Sequence, residues 1–243
     1  MQKAPDQEEG ARPGSSVLVI SRDATEAGAR RAFEDALLAA LRSRGIQALV
    51  TPHLYYLHPR HPAVAALQEV AGELVIGSWM HPRAAFWTLR ALGVGRPSAQ
   101  CLDLGTFPSP EDGAEALLTA ADGRPATAPA LGEQADGVRP RWYPVVDGSL
   151  CQSCRKCLDF CLFGVYSLCD GRVVVSSPDN CKNGCPACAR ACPHGAIMFP
   201  HCADPAIAGA QPAPAQAARS RSAEAREPDD LEHLVSMLEK LDE

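Results

Sequence analysis

Aromatic residues are scarce in this 243-residue chain, at 5%. So few large rings suit one ordinary core beside a small second one that is not built from side chains alone. Blocks of Lys or Arg are also missing, and with a net charge of −6 the chain offers no run of phosphate contacts, which argues against nucleic acid as a partner. No stretch approaches the roughly eighteen apolar residues of a membrane span. No apolar h-region follows the polar opening at Met1–Gly10. A secreted disulfide scaffold is therefore not expected, although eleven cysteines are present. The expectation is a reducing cytoplasm, where clustered cysteines bind metal or do redox chemistry.

Length favours two domains, and 46% apolar residues suffice for ordinary cores. Residues 1–15 read as a disordered lead-in. From Val17 apolar runs alternate with helical stretches. The runs are Val17–Ile20, Ile46–Val50, Leu74–Ile76 and Gln100–Leu104. Between and after them, helices are expected near Glu26–Arg44, with Phe33, Leu37 and Leu41 on one face and Gly45 as its C′ residue, then at Pro62–Val70, Pro82–Leu92 and Pro110–Ala121. This pattern predicts an α/β domain over 16–121 with four parallel strands, flavodoxin-like or Rossmann-like. After its first strand stands Ser21-Arg22-Asp23-Ala24-Thr25-Glu26-Ala27, neither G-x-G-x-x-G nor G-x-x-x-x-G-K-[ST], so no backbone cradle for a dinucleotide or nucleoside triphosphate is expected there.

Residues 122–141 have the composition of a linker and 203–226 that of a flexible tether. At 227–243, Leu231, Leu234, Val235, Leu238 and Leu241 recur at helical spacing behind Pro228, which predicts a short amphipathic helix. Such a helix would dock a partner, self-associate or fold back on its own chain.

Between these segments the cysteines gather. Cys151, Cys154, Cys157 and Cys161 form C-x-x-C-x-x-C-x-x-x-C; Cys181, Cys185, Cys188 and Cys192 form C-x-x-x-C-x-x-C-x-x-x-C, followed by Pro193. Runs of this kind hold cubane iron–sulfur clusters, which accept and release single electrons. Structural zinc is the rival reading, but it uses two separated C-x-x-C pairs to close a tetrahedron, and three cysteines in a short run, twice over, fit a cubane better. No ligand position is replaced by Asp, so a three-iron cluster is not expected. An internal repeat reinforces the pattern. Pro144–Val146 and Val165–Leu168 flank the first run, Val173–Val175 and Ala196–Phe199 the second, and the exits Cys161-Leu162-Phe163-Gly164 and Cys192-Pro193-His194-Gly195 match.

On these residues the segment 142–202, about a quarter of the chain, resembles the bacterial-type two-cluster (2[4Fe–4S]) ferredoxin family. The resemblance implies an α+β ferredoxin-like domain with two [4Fe–4S] clusters and crossed ligation. Cluster I would use Cys151, Cys154, Cys157 and Cys192; cluster II would use Cys181, Cys185, Cys188 and Cys161. Two departures are visible. Leu162 stands where many members have proline, and the second run has a three-residue gap, Lys182-Asn183-Gly184, which Gly184 would absorb. Cys101 reads as a small hydrophobe in a strand, Cys169 as a neighbour of the Asp170-Gly171 hairpin signal, and Cys202 stays unassigned.

Ligands of open parallel sheets bind beyond the carboxyl ends of the strands. The residues there are Ser21, Arg22, Asp23, His53, Tyr55, Ser78, Trp79, His81, Asp103 and Gly105, of which Arg22, His53, Tyr55 and His81 are the candidate rim site. The alternative is that they only cap helices and fill loops. Three functions stay open: an electron carrier or relay with redox protein partners, fused to a ligand- or partner-binding domain; a redox enzyme or subunit with its substrate at the rim; and a non-catalytic cluster-containing interaction or sensor protein.

Overall fold

A computed structural model describes residues 16–24, 27–95, 98–122, 125–126 and 138–210. The expected lead-in 1–15 and terminal helix 227–243 lie outside these residues, as does most of the expected linker. The first segment runs β1 (Ser16–Ser21), α1 (Ala29–Ser43), β2 (Leu49–Thr51), α2 (Pro62–Glu69), β3 (Glu73–Ser78), α3 (Pro82–Ala91), β4 (Gln100–Asp103) and α4 (Pro110–Ala120). Proline at N1 opens α2, α3 and α4, where its missing N–H costs nothing. Gly45 closes α1 with a positive φ of 74°.

All four strands are parallel, in the order β2-β1-β3-β4. The expected α/β segment with a small parallel sheet is thus present. Its second strand starts later than the run Ile46–Val50 suggests, because Ile46 donates its N–H to Leu41 O and finishes the helix terminus instead. Side chains alternate across the sheet. Val17, Val19, Leu49, Leu74 and Ile76 face α2 and α3, while Leu18, Ile20 and Val75 face α1 and α4.

The cysteine-rich segment follows as β5 (Val145–Val146), α5 (Lys156–Phe160), β6 (Tyr166–Cys169), β7 (Arg172–Val175), α6 (Ala187–Ala191) and β8 (Ile197–Met198). Its two halves interlock: β5 pairs antiparallel with β8, and β6 with β7. Asp170 and Gly171 both take positive φ, the conformation a two-residue hairpin requires. Gly184, in the three-residue gap, has φ 74°.

The described residues of the two segments share a core. Tyr143, Val145 and Met198 belong to the cluster that covers the β1–β3 face. The Tyr55 hydroxyl donates to Tyr143 O (2.5 Å) and accepts from Tyr143 N (2.7 Å), and the two rings stack at 4.5 Å. Of the expected tether 203–226, residues 203–210 are described and the rest lie outside the described residues. Pro205–Ala208 forms a short helix, α7, capped by Asp204, with Ile207 and Ala208 buried. Gly209 follows at φ 104°, where an added Cβ would lie 2.7 Å from Ala84 Cβ, so only glycine lets the chain pass this close to α3.

Tyr55→Phe leaves the Tyr143 N–H and C=O buried without partners, and is expected to cost about 2–4 kcal/mol in urea unfolding. A loss below about 0.5 kcal/mol would show that this contact is not what joins the segments.

Candidate metal centre

Two cavities take up the eight cysteines of the repeat. One is lined by Cys151, Cys154, Cys157 and Cys192, with Val146, Val173 and Ile197 among its walls. The other is lined by Cys161, Cys181, Cys185 and Cys188, with Pro144, Val165 and Tyr166. Local backbone makes each arrangement possible. Ser153 and Arg155 take positive φ between the first cysteines, and the one-turn helices α5 and α6 turn Cys157 and Cys188 toward their cavities. Cys161 N–H donates to Cys157 O, and Cys192 N–H to Ala189 O.

Electrostatics follow the same grouping. Burial pushes the Cys157 thiol up to about 11, with Cys192 and Cys151 adding to the rise. Burial pushes Cys181 up to about 12, with Cys188, Cys185 and Cys161 adding. As free thiols both stay protonated at neutral pH, so metal binding must displace protons. Among the described residues no three donors draw together around a mononuclear site. Four thiols line each cavity, and a donor set of that kind fits an iron–sulfur cluster.

Neighbouring groups shape the second cavity. Tyr166 donates its hydroxyl to Cys188 Sγ at 3.1 Å, and Trp142 donates Nε1–H to Cys185 O at 3.1 Å while stacking on Phe199. Phe160, Leu162 and Phe163 are exposed around Cys161, Leu162 at 93%. Of the surplus cysteines, Cys101 is in β4 with its thiol pushed up to about 12 by burial, Cys169 is exposed at the end of β6, and Cys202 packs against the core of the cysteine-rich segment.

The first cavity is buttressed from the parallel sheet. Arg83 on α3 donates Nε–H to Asp147 Oδ2 at 2.6 Å and Nη2–H to Gly195 O at 2.7 Å. Burial alone would raise the Asp147 carboxyl; the Ser149 hydroxyl and the Arg83 guanidinium overcome this and hold it below its ordinary range.

The four rim candidates do not converge. Arg22 is engaged by Asp35 (2.6 Å) and Glu34 (3.5 Å). Tyr55 is fully buried against Tyr143, because its loop is drawn under the cysteine-rich segment. His81 stands at the start of α3, with Nδ1 3.7 Å from Asp103 Oδ2. His53 is buried between Tyr56 and His201, ring centroids 4.7 and 4.8 Å away. Burial, and then His201, lower its pKa to about 3. Glu34, absent from the candidates, is the hub: fully buried, it accepts from Asp23 N, Trp79 Nε1, Arg22 and Arg31. The hydroxyls of Thr51 and Ser78 and His53 Nδ1 are buried without a hydrogen-bond partner among the described residues. Register puts Thr51 beside Ser21 and Ser78 at the end of β3, so these groups gather at the carboxyl edge of the sheet.

No family model matches the chain. It is 45% identical over 60 residues to an uncharacterized ferredoxin of Methanocaldococcus jannaschii, a match covering 24% of this chain and 41% of that protein. The chain contains a ferredoxin-like segment. It spans only about two fifths of that relative's length. Among the described residues no helix is long and apolar enough to cross a membrane. Nothing in the sequence around the ferredoxin-like segment signalled Arg83, Tyr166 or Glu34, since each matters through a partner distant in the chain.

A buried neutral His53 links stability to pH. Its folded pKa of about 3 lies below the ordinary 6.5, so its contribution is complete above pH 6.5 and is lost as pH falls toward 3. Between pH 7 and 5 the loss is expected to be about 2 kcal/mol, and His53→Asn should flatten that slope in urea unfolding. An unchanged slope in the variant would mean that His53 is not the group responsible.

Proposed function

We propose that this chain is an electron-transfer protein carrying two [4Fe–4S] clusters, one held by Cys151, Cys154, Cys157 and Cys192, the other by Cys181, Cys185, Cys188 and Cys161. The observation that carries this reading is the partition of eight thiols into two foursomes. Each lines one cavity and takes a single member from the other cysteine run. Likeness to a ferredoxin supports the same chemistry. When bound, such clusters supply single-electron acceptance and release.

The chain's own residues set the conditions for that chemistry. Apolar walls at Val146, Val173 and Ile197, and at Pro144 and Val165, limit water at the sulfurs. The Tyr166 hydroxyl stabilises negative charge on Cys188 Sγ and so favours the reduced state of the second site. Phe160, Leu162 and Phe163 form an apolar fringe beside Cys161 that suits a redox protein partner. Clustered thiol ligands favour a reducing compartment, the cytoplasm.

The sheet order β2-β1-β3-β4 matches the start of a flavodoxin-like arrangement, with its switch point between β1 and β3. One observation favours a second reading, a redox enzyme or subunit with its substrate at that edge: Thr51, His53 and Ser78 hold buried polar atoms that no group among the described residues satisfies. A small molecule that co-purifies with the native chain and is lost on His53→Ala would favour the enzyme over the carrier.

Protein purified without oxygen should contain about eight iron and eight sulfide per chain. Stoichiometric zinc in their place would sink the proposal. Tyr166→Phe should leave the iron content unchanged and lower one of two reduction potentials by roughly 20–60 mV, the equivalent of one modest hydrogen bond.

A further inference from the structure

We infer that Arg83, a residue of the parallel-sheet segment, is the positioning residue for the cysteine site formed by Cys151, Cys154, Cys157 and Cys192. The inference rests on the two-cluster reading and goes beyond it, because it gives one side chain of the α/β segment a role in one of the two sites. One guanidinium touches both chain segments that deliver ligands to that cavity. Through Nε–H it holds Asp147 Oδ2, and through Nη2–H it holds Gly195 O, 112 residues away along the chain.

Asp147 passes the constraint on. Its other carboxylate oxygen accepts from Ser149 N (2.9 Å), from the Ser149 hydroxyl and from Leu150 N, and its backbone oxygen accepts from Cys151 N at 3.0 Å. Its own N–H donates to Ala196 O at 2.7 Å, which pins the approach to Cys151 against the exit from Cys192. Gly195 N–H in turn donates to Cys192 O. The bridge is sheltered: the side chains of Arg83 and Asp147 are 13% and 4% exposed. A charge-assisted pair in such a place is stronger and more directional than one at the surface.

The second cavity has a different support. Arg141 donates to Asp179, two residues before Cys181, and to Leu57 O, and Trp142 donates to Cys185 O. None of these groups is Arg83 or Asp147. Breaking the Arg83 bridge therefore loosens the first site, while the contacts of Arg141 and Trp142 hold the second.

The experiment uses the full chain, purified without oxygen, as wild type, Arg83→Gln, Arg83→Lys and Asp147→Asn. Iron release to a chelator and a redox titration followed by electron paramagnetic resonance are measured on each. The Tyr166→Phe shift identifies the potential of the second site. In Arg83→Gln and Asp147→Asn, half of the iron should leave about tenfold faster, and the potential that Tyr166→Phe does not move should shift. Arg83→Lys keeps the charge but not the fork, so it should restore part of the effect. Should Arg83→Gln fail to fold, Arg83→Lys decides alone, by perturbing the first site only. If wild-type protein holds fewer than two clusters, the two-cluster reading fails. If it holds two, and the variants affect both sites alike or neither, the role given to Arg83 is overturned.

Discussion

The hydroxyl of Tyr55 meets the backbone of Tyr143 across 88 residues of chain, and that meeting joins the two described segments. Both groups are buried, so each hydrogen bond replaces one that water would otherwise make, and neither can be given up cheaply. The contact lays the start of the cysteine-rich segment along the β1–β3 face, where Val145 and Met198 complete the core begun by Val17, Val19 and Ile76. Arg141 reinforces it, holding Leu57 O with its guanidinium placed 4.7 Å over the Tyr143 ring. A parallel sheet needs cover on both faces, and here the ferredoxin-like segment supplies part of one.

That packing gives the cysteine loops a rigid neighbour. A small repeat with two-residue strands and one-turn helices has little apolar core of its own, and it gains firmness from what it binds and what it rests on. The proposed clusters would supply the first. The α/β segment supplies the second: Arg83 of α3 holds the Cys151 side, and the carbonyl of Leu57 anchors Arg141, which in turn holds Asp179 beside Cys181. The apolar fringe at Phe160, Leu162 and Phe163 lies outside both supports and is exposed.

Much of this fold was legible in residue order. The four β-like runs of the first segment, the prolines opening α2, α3 and α4, and Gly45 at the end of α1 all report local backbone chemistry, which acts over a few residues. The cysteine spacing and the repeat were legible for the same reason, since loops of fixed length deliver ligands at fixed intervals. The rim was not. Arg22 and His53 stand just past the strand ends as the pattern requires, yet one is engaged by Asp35 and Glu34 and the other is sealed by His201. Whether such a side chain meets a ligand or a neighbour depends on what packs over it. Helix α7 was not legible for a related reason: Ile207 and Ala208 look like spacer in an Ala- and Pro-rich run until the core of the cysteine-rich segment takes up Ile207.

By itself, then, the sequence determined an alternating α/β segment, a twofold cysteine repeat and the donor chemistry of eight thiols, because propensity, capping and spacing are properties of short stretches. Tertiary structure alone decided that the two segments share a core, that each cavity collects cysteines from both runs, and which partners Arg83, Tyr166 and Glu34 meet. Those outcomes depend on which buried polar groups satisfy one another across long separations in the chain, and no local pattern of residues carries that information.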